Sequence, residues 1–223
     1  AAAPPPAAAA PTGPLTAALG CSTPALPPTV SGAVLTSAAT VTAANGGTYC
    51  RVAGNITPQG PAATSNQVRF MVAMPSTFQS RYFFVGEGGS AGFIPNPSES
   101  LLASGYVVAG SDAGSTTPGV NWLFANDRTK AFDYAQRGAH VSTEATQTLA
   151  RAYYGMTGSS ANASRKMYRY IDGCSGGGRM GIVAASVYPN DFDGVVAGAP
   201  GISVSNQMFF GKVIKHLLDN PAS

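Results

Sequence analysis

Hydrophobic and polar positions change their rhythm along this chain. Between residues 31 and 75 short apolar stretches are separated by turn residues, among them Asn45-Gly46-Gly47 ahead of Thr48-Tyr49-Cys50-Arg51-Val52. From Gln67 to Met74 the residues Val68, Phe70, Val72 and Met74 alternate with Gln67, Arg69 and Met71, the period of a half-buried strand, and Pro75 ends it. From Arg81 the runs become continuous: Tyr82-Phe83-Phe84-Val85 runs into Gly86-Glu87-Gly88-Gly89, and Tyr106-Val107-Val108-Ala109-Gly110 runs into Ser111-Asp112. Such runs suit strands buried on both faces. A helix is expected from about Arg137 to Tyr154, with Val141, Ala145, Leu149 and Ala152 near one stripe and Gly155 as its stop. Met167–Asp172 reads as strand, Gly177–Tyr188 as helix and Gly194–Gly198 as strand, so the order is that of an α/β protein with a mostly parallel sheet and flanking helices.

Residues 1–20, almost wholly Ala and Pro, read instead as a tether or mobile tail. Composition then removes several classes of function. With 223 residues and 44% hydrophobic content the chain can bury a core, and a net charge of +3 on only 10% charged residues provides no basic stripe for nucleic acid. No apolar run approaches the roughly 20 residues of a membrane-spanning helix. The chain opens on Ala without a charged and then apolar leader, as expected if a signal peptide had been removed or omitted, although an engineered start would look the same. Cys21, Cys50 and Cys174 fit either free thiols or a disulfide framework lacking one partner.

The chemistry concentrates at Gly173-Cys174-Ser175-Gly176-Gly177, a G-x-S-x-G pattern between an expected strand and an expected helix. A sharp turn there lifts a Ser hydroxyl clear of the sheet, small neighbours let the two backbones approach, and the helix start offers unpaired amides to an oxyanion. The bland alternative is a glycine-rich turn whose Ser caps a helix. We take Ser175 as the candidate nucleophile, Gly176 as one candidate oxyanion donor and Gly89, in the glycine run after an earlier strand, as the second. The plain alternative for Gly89 is a simple strand-to-helix turn. A base and an acid are harder to find. Asp191 and Asp193 read as turn residues, His216 as solvated on a short amphipathic helix with Asp219, and His140, ahead of the nucleophile, as structural.

These residues resemble the tannase and feruloyl esterase family, over about Gln67 to Gly201. The most specific parts are Gly173-Cys-Ser-Gly-Gly-Gly-Arg179, similar to that family's Cys-Ser-x-Gly-Gly-Arg signature, and Tyr188-Pro-Asn-Asp-Phe-Asp-Gly-Val-Val-Ala-Gly-Ala-Pro-Gly201. Phe83-Phe84 through Glu87-Gly88-Gly89 and Tyr106 through Asp112 also match in order. The resemblance implies the α/β-hydrolase fold, with a lid inserted after the strand ending near Gly198 that binds a structural calcium. No residue here matches the lid, its metal or the catalytic acid and His. It also implies a Cys beside the nucleophile that is bonded to a Cys next to the catalytic His. Cys174 matches the first of these, and its partner would lie outside this chain, leaving Cys21 and Cys50 as a local pair.

The expectation is therefore the N-terminal part of a hydrolase: a tail over 1–20, the catalytic segment over 21–201 and the start of the lid over 202–223. It would be secreted or periplasmic and would act on a small-molecule ester of a phenolic or aromatic acid. A missing C-terminal segment, or a second chain cut from the same precursor, would complete it. Other reactions of the fold, such as polyester, peptide or thioester cleavage, remain open at this point, as does a binding module without a working base.

Overall fold

A computed structural model describes residues 13–27, 32–58, 66–116 and 122–220. Seven strands form one sheet in the spatial order β1-β2-β3-β5-β4-β6-β7. They are β1 (Ala33–Thr42), β2 (Thr48–Ile56), β3 (Val68–Pro75), β4 (Arg81–Gly86), β5 (Tyr106–Ser111), β6 (Tyr168–Cys174) and β7 (Gly194–Gly198). The first three pair antiparallel, β1 with β2 across the turn around Asn45-Gly46-Gly47, and β3 meets β5 antiparallel. Strands β5, β4, β6 and β7 are parallel, as the continuous apolar runs require.

Among the described residues five α-helices accompany the strands: α1 (Glu99–Ala103), α2 (Arg128–Phe132), α3 (Gly138–Tyr153), α4 (Gly176–Val187) and α5 (Val204–Asp219). Side chains alternating along a strand divide the core into two layers. Tyr82, Phe84, Val107, Ala109 and Ile171 pack with Leu149 of α3 and Met180 of α4, whereas Met71, Ala73 and Val108 pack with Leu102 of α1 on the opposite face. The α/β-hydrolase arrangement expected from the sequence is the one observed.

Three expectations need correction. Strand β3 is not half-buried: Met71 and Ala73 are as enclosed as Val72 and Met74, because α1 covers the second face, and only Arg69 along its first half reaches solvent. Of the expected tail, residues 1–12 lie outside the described residues, but from Gly13 onward the chain is docked. Leu15 exchanges two main-chain hydrogen bonds of 2.8 Å with Phe78 and is buried, and the Ala18 amide donates to Tyr153 O at 2.7 Å. A single apolar side chain with a strand-like bridge outweighs the Ala/Pro composition around it. The buried face of α3, finally, is wider than its apolar stripe. Ser142, Thr143 and Thr146 are buried too, Ser142 and Thr146 donating back to carbonyls one turn earlier, and Thr146 Oγ1 lies 2.7 Å from the Tyr82 hydroxyl.

Candidate active site

The C-terminal ends of β4 and β6 support the site, and the close approach of α4 to them follows from three glycines. A Cβ on Gly173 would stand 2.5 Å from the carbonyl carbon of Gly177, and one on Gly177 would stand 2.1 Å from Gly86 O. No side chain fits either place, so the first turn of α4 rests directly on strand backbone. Between Cys174 and Gly176 the chain must reverse within one residue. Ser175 makes the turn at φ 58° and ψ −113°, outside the basins that L-residues occupy freely. Strain of this kind costs on the order of 1–3 kcal/mol. Main-chain bonds hold it in place: the Ser175 amide donates to Gly198 O of β7 at 3.0 Å, and Ser175 O accepts from Gly201 N at 2.9 Å and from Arg179 N at 3.0 Å. The side chain is exposed and makes no capping bond to the helix. Geometry therefore separates the two readings of this glycine-rich turn: Ser175 is lifted out of the sheet and does not serve as a cap.

The loop Gly86–Ser90 lies against the same helix start. A Cβ on Gly176 would be 2.6 Å from Gly89 O and 3.1 Å from Glu87 O, so only glycine lets loop and helix touch. Gly89 has a φ of 59°. Its carbonyl accepts the Tyr134 hydroxyl at 2.8 Å, while Gly88 O accepts from Ala91 N at 3.1 Å and Ser90 O from Ser115 Oγ at 2.6 Å. Three successive carbonyls are thus tied down. The amides of the first turn of α4 have no acceptor within the helix, and the positive end of its dipole lies at Ser175. Burial pushes the carboxyl of half-buried Glu87, in the same loop, above its ordinary range.

Behind the site, the sequence-based reading missed α2 and the wide turn that joins it to α3. Across Asp133–Arg137 the helix opens to i→i+5 spacing, with the Gly138 amide donating to Asp133 O. Such a turn takes carbonyls out of the regular ladder. Arg179, one turn into α4, donates to Ala135 O at 2.6 Å and Tyr134 O at 2.8 Å, and its guanidinium lies 4.1 Å from the centre of the Tyr134 ring. Trp122 and Phe124 pack on the same ring. Asp127, ahead of Arg128-Thr129-Lys130, caps α2 through bonds to the Thr129 and Lys130 amides and was the available signal for that helix.

A family described as tannase and feruloyl esterase matches residues 50–219. The chain belongs to that family. A probable feruloyl esterase of Arthroderma benhamiae is 36% identical over 143 residues, covering 60% of this chain and 25% of its own length. Among solved structures, feruloyl esterase B from Aspergillus oryzae superposes with a TM-score of 0.64 at 26% identity, over 77% of this chain and 35% of that one. Tannin acyl hydrolase from Aspergillus niger gives 0.69 at 25% identity, over 93% and 42%. The chain spans between a quarter and about a third of the length of the curated relatives it matches.

The remaining expected residues of this tannase-family chain fall as follows. Cys21 and Cys50 form a disulfide with Cα atoms 5.6 Å apart, and Cys174 is exposed and unpaired among the described residues. His140 stacks on Tyr188 with ring centres 3.8 Å apart, and its Nδ1 lies 2.8 Å from an Asp191 carboxylate oxygen. That pair stands against Tyr188, the residue that closes α4. Burial alone would lower the His140 pKa, but the bond to Asp191 and the charges of Asp191 and Glu144 outweigh it and raise it. Asp193 accepts from the Arg169 amide and guanidinium and from Lys166, which holds its carboxyl at about 2. His216 is exposed on α5, within hydrogen-bonding reach of Asn220. Neither His nor carboxylate bonds to Ser175 among the described residues. No group of three or more His, Cys, Asp or Glu side chains among them stands ready for a metal ion, so no residue is assigned to the calcium that the family implies. No helix among them is long and apolar enough to cross a membrane.

Proposed function

We propose that this chain carries the nucleophile and oxyanion hole of a serine carboxylic ester hydrolase acting on esters of phenolic or aromatic acids. The observation that carries the reading is Ser175 itself: an exposed hydroxyl on a strained turn, pinned by Gly198, Gly201 and Arg179, at the bare start of a helix. Ser175 Oγ attacks the ester carbonyl carbon as its proton passes to a base. The amides of Gly176 and Gly89 hold the oxyanion, the alcohol leaves as the carbonyl re-forms, and water releases the acid from the acyl-enzyme. Because His140 and His216 are both engaged elsewhere, the base and its acid come from protein outside this chain. A Cys there next to the base would pair with exposed Cys174. The aromatic preference is supported by the names of the relatives, feruloyl esterases and a tannin acyl hydrolase. The Cys21–Cys50 disulfide favours export from the cell.

The test is made on the full-length protein. A serine-directed fluorophosphonate should label Ser175, and a panel of hydroxycinnamate, gallate, alkyl, peptide and thioester substrates should give its highest kcat/KM on the first two. Failure to label Ser175 would sink the nucleophile assignment. Labelling with a preference for alkyl, peptide or thioester substrates would sink only the substrate class.

A further inference from the structure

The proposed oxyanion hole has a requirement that its two amides do not meet by themselves. Gly89 is in the left-handed region, and a glycine peptide with no side chain to restrain it rotates easily. Its carbonyl, on the peptide after the one that carries the Gly89 N–H, lies near the Cα of Gly176, so a turn about the Gly89 Cα would swing this acceptor toward the oxyanion and the amide away from it. The Gly88 side of that pivot is held by Ala91 N, and one side-chain hydrogen bond holds the other. The Tyr134 hydroxyl donates to Gly89 O at 2.8 Å, across 45 residues of sequence.

The donor is itself held from three sides. Its ring has Trp122 at its edge, with centres 5.5 Å apart and planes at 89°, and Phe124 at 4.9 Å. Arg179 covers one face at 4.1 Å while bonding the main-chain carbonyls of Tyr134 and Ala135. Among the described residues no carboxylate lies within ion-pair distance of this buried guanidinium, so its charge is met by two carbonyls and a ring face. Arg179 leaves the same helix turn that carries Ser175 and donates its amide to Ser175 O. Nucleophile and loop thus share one clamp: Ser175 to Arg179 along α4, Arg179 to Tyr134 across the wide turn, and Tyr134 to Gly89.

We infer that Tyr134 is a positioning residue for ester hydrolysis, whose hydroxyl holds the Gly89–Ser90 peptide by its carbonyl and so fixes the backbone angles of Gly89, keeping the preceding Gly88–Gly89 amide turned to the oxyanion. It touches no reacting atom and acts through Gly89. The widened turn at Asp133–Arg137 is what brings the ring to the loop while freeing carbonyls for Arg179. The inference rests on the proposed reading of Ser175 and Gly89.

Tyr134→Phe in the full-length protein removes the hydroxyl and keeps the ring against Arg179. Losing an oxyanion donor outright costs about 10²- to 10³-fold in kcat, so loosening one should lower kcat about 10- to 100-fold. KM should stay within about twofold, and affinity for a boronate that mimics the tetrahedral intermediate should fall in parallel with kcat. Rates are taken per phosphonate-titrated site, so any misfolded fraction drops out, and the melting midpoint is measured alongside. A kcat within about twofold of the parent overturns the inference. So does a fall in kcat without weaker boronate binding, which would mark Tyr134 as merely structural. A parent protein that the phosphonate does not label refutes the reading of Ser175, whereas a labelled, active parent with an unchanged Tyr134→Phe variant refutes only this one.

Discussion

The two ends of helix α4 hold the same kinds of residue in opposite states. At its start Ser175 is strained, exposed and free of side-chain partners, and the space around it is cleared by glycines. At its end His140 and Asp191 are paired as the His and carboxylate of a triad would be, 2.8 Å apart, but with the ring stacked on Tyr188 and the Asp191 carbonyl taken by Gln147. One end stores strain and leaves a hydroxyl available. The other end spends its polar groups on joining α3 to the turn before β7. A nucleophile needs both a reachable base and a bare approach, and a His–Asp pair engaged beside Tyr188 supplies neither.

The largest effect expected from breaking this contrast comes at Ser175. Ser175→Ala in the full-length protein should lower kcat/KM more than about a thousandfold, or about 4 kcal/mol of transition-state stabilisation. Its melting midpoint should not fall, since Ala keeps the main-chain bonds and the hydroxyl caps nothing. Ester hydrolysis that survives at more than about a tenth of the parent rate would assign the chemistry to another residue.

Next in size is the packing that makes the turn possible. Gly177→Ala places a methyl 2.1 Å from Gly86 O, with backbone on both sides and no flexible side chain to give way. Overpacking of this kind costs about 3 kcal/mol, and it displaces the helix start from the loop. Chemical denaturation should show that loss, with phosphonate labelling falling more steeply than stability at temperatures where the variant is still folded. Labelling at the parent rate would mean that the glycine contact is dispensable to the site.

Local chemistry was legible in the sequence where one residue type alone could meet a steric demand. Gly173, Gly176 and Gly177 around Ser175 are such positions, and the strand-to-helix boundaries there were read to within a residue or two. The continuous apolar runs also gave β4, β5 and β7; β5 is covered on both faces as such a run predicts, whereas β7, at the sheet edge, leaves Val196 exposed. Contacts set only by the tertiary fold were not legible. Nothing in Phe132-Asp133-Tyr134 announces a widened turn, and nothing ties Tyr134 to Gly89. Leu15 in an Ala/Pro stretch looks idle until Phe78 is beside it. Buried Ser142 and Thr146 read as polar because their bonds back to the helix cannot be seen in a hydropathy pattern.

The smallest effect belongs to the far end of α4. His140→Phe keeps an aromatic ring over Tyr188 and removes the bond to Asp191, so turnover should stay within about twofold and stability should fall by about 1 kcal/mol. The pH dependence gives the sharper test. His140 has a folded-state pKa raised above its ordinary 6.5, because the Asp191 bond and the charges of Asp191 and Glu144 outweigh burial. A raised pKa means that the folded protein binds the proton more tightly than the unfolded chain. The resulting stabilisation is complete below about pH 6.5 and is lost as pH rises through the higher folded value. Melting midpoints of parent and His140→Phe proteins should therefore lie furthest apart between about pH 5 and 6.5 and converge above it. A gap that widened with rising pH would mean that His140 is held neutral, as a base awaiting a proton would be, and the contrast between the two ends of the helix would fail.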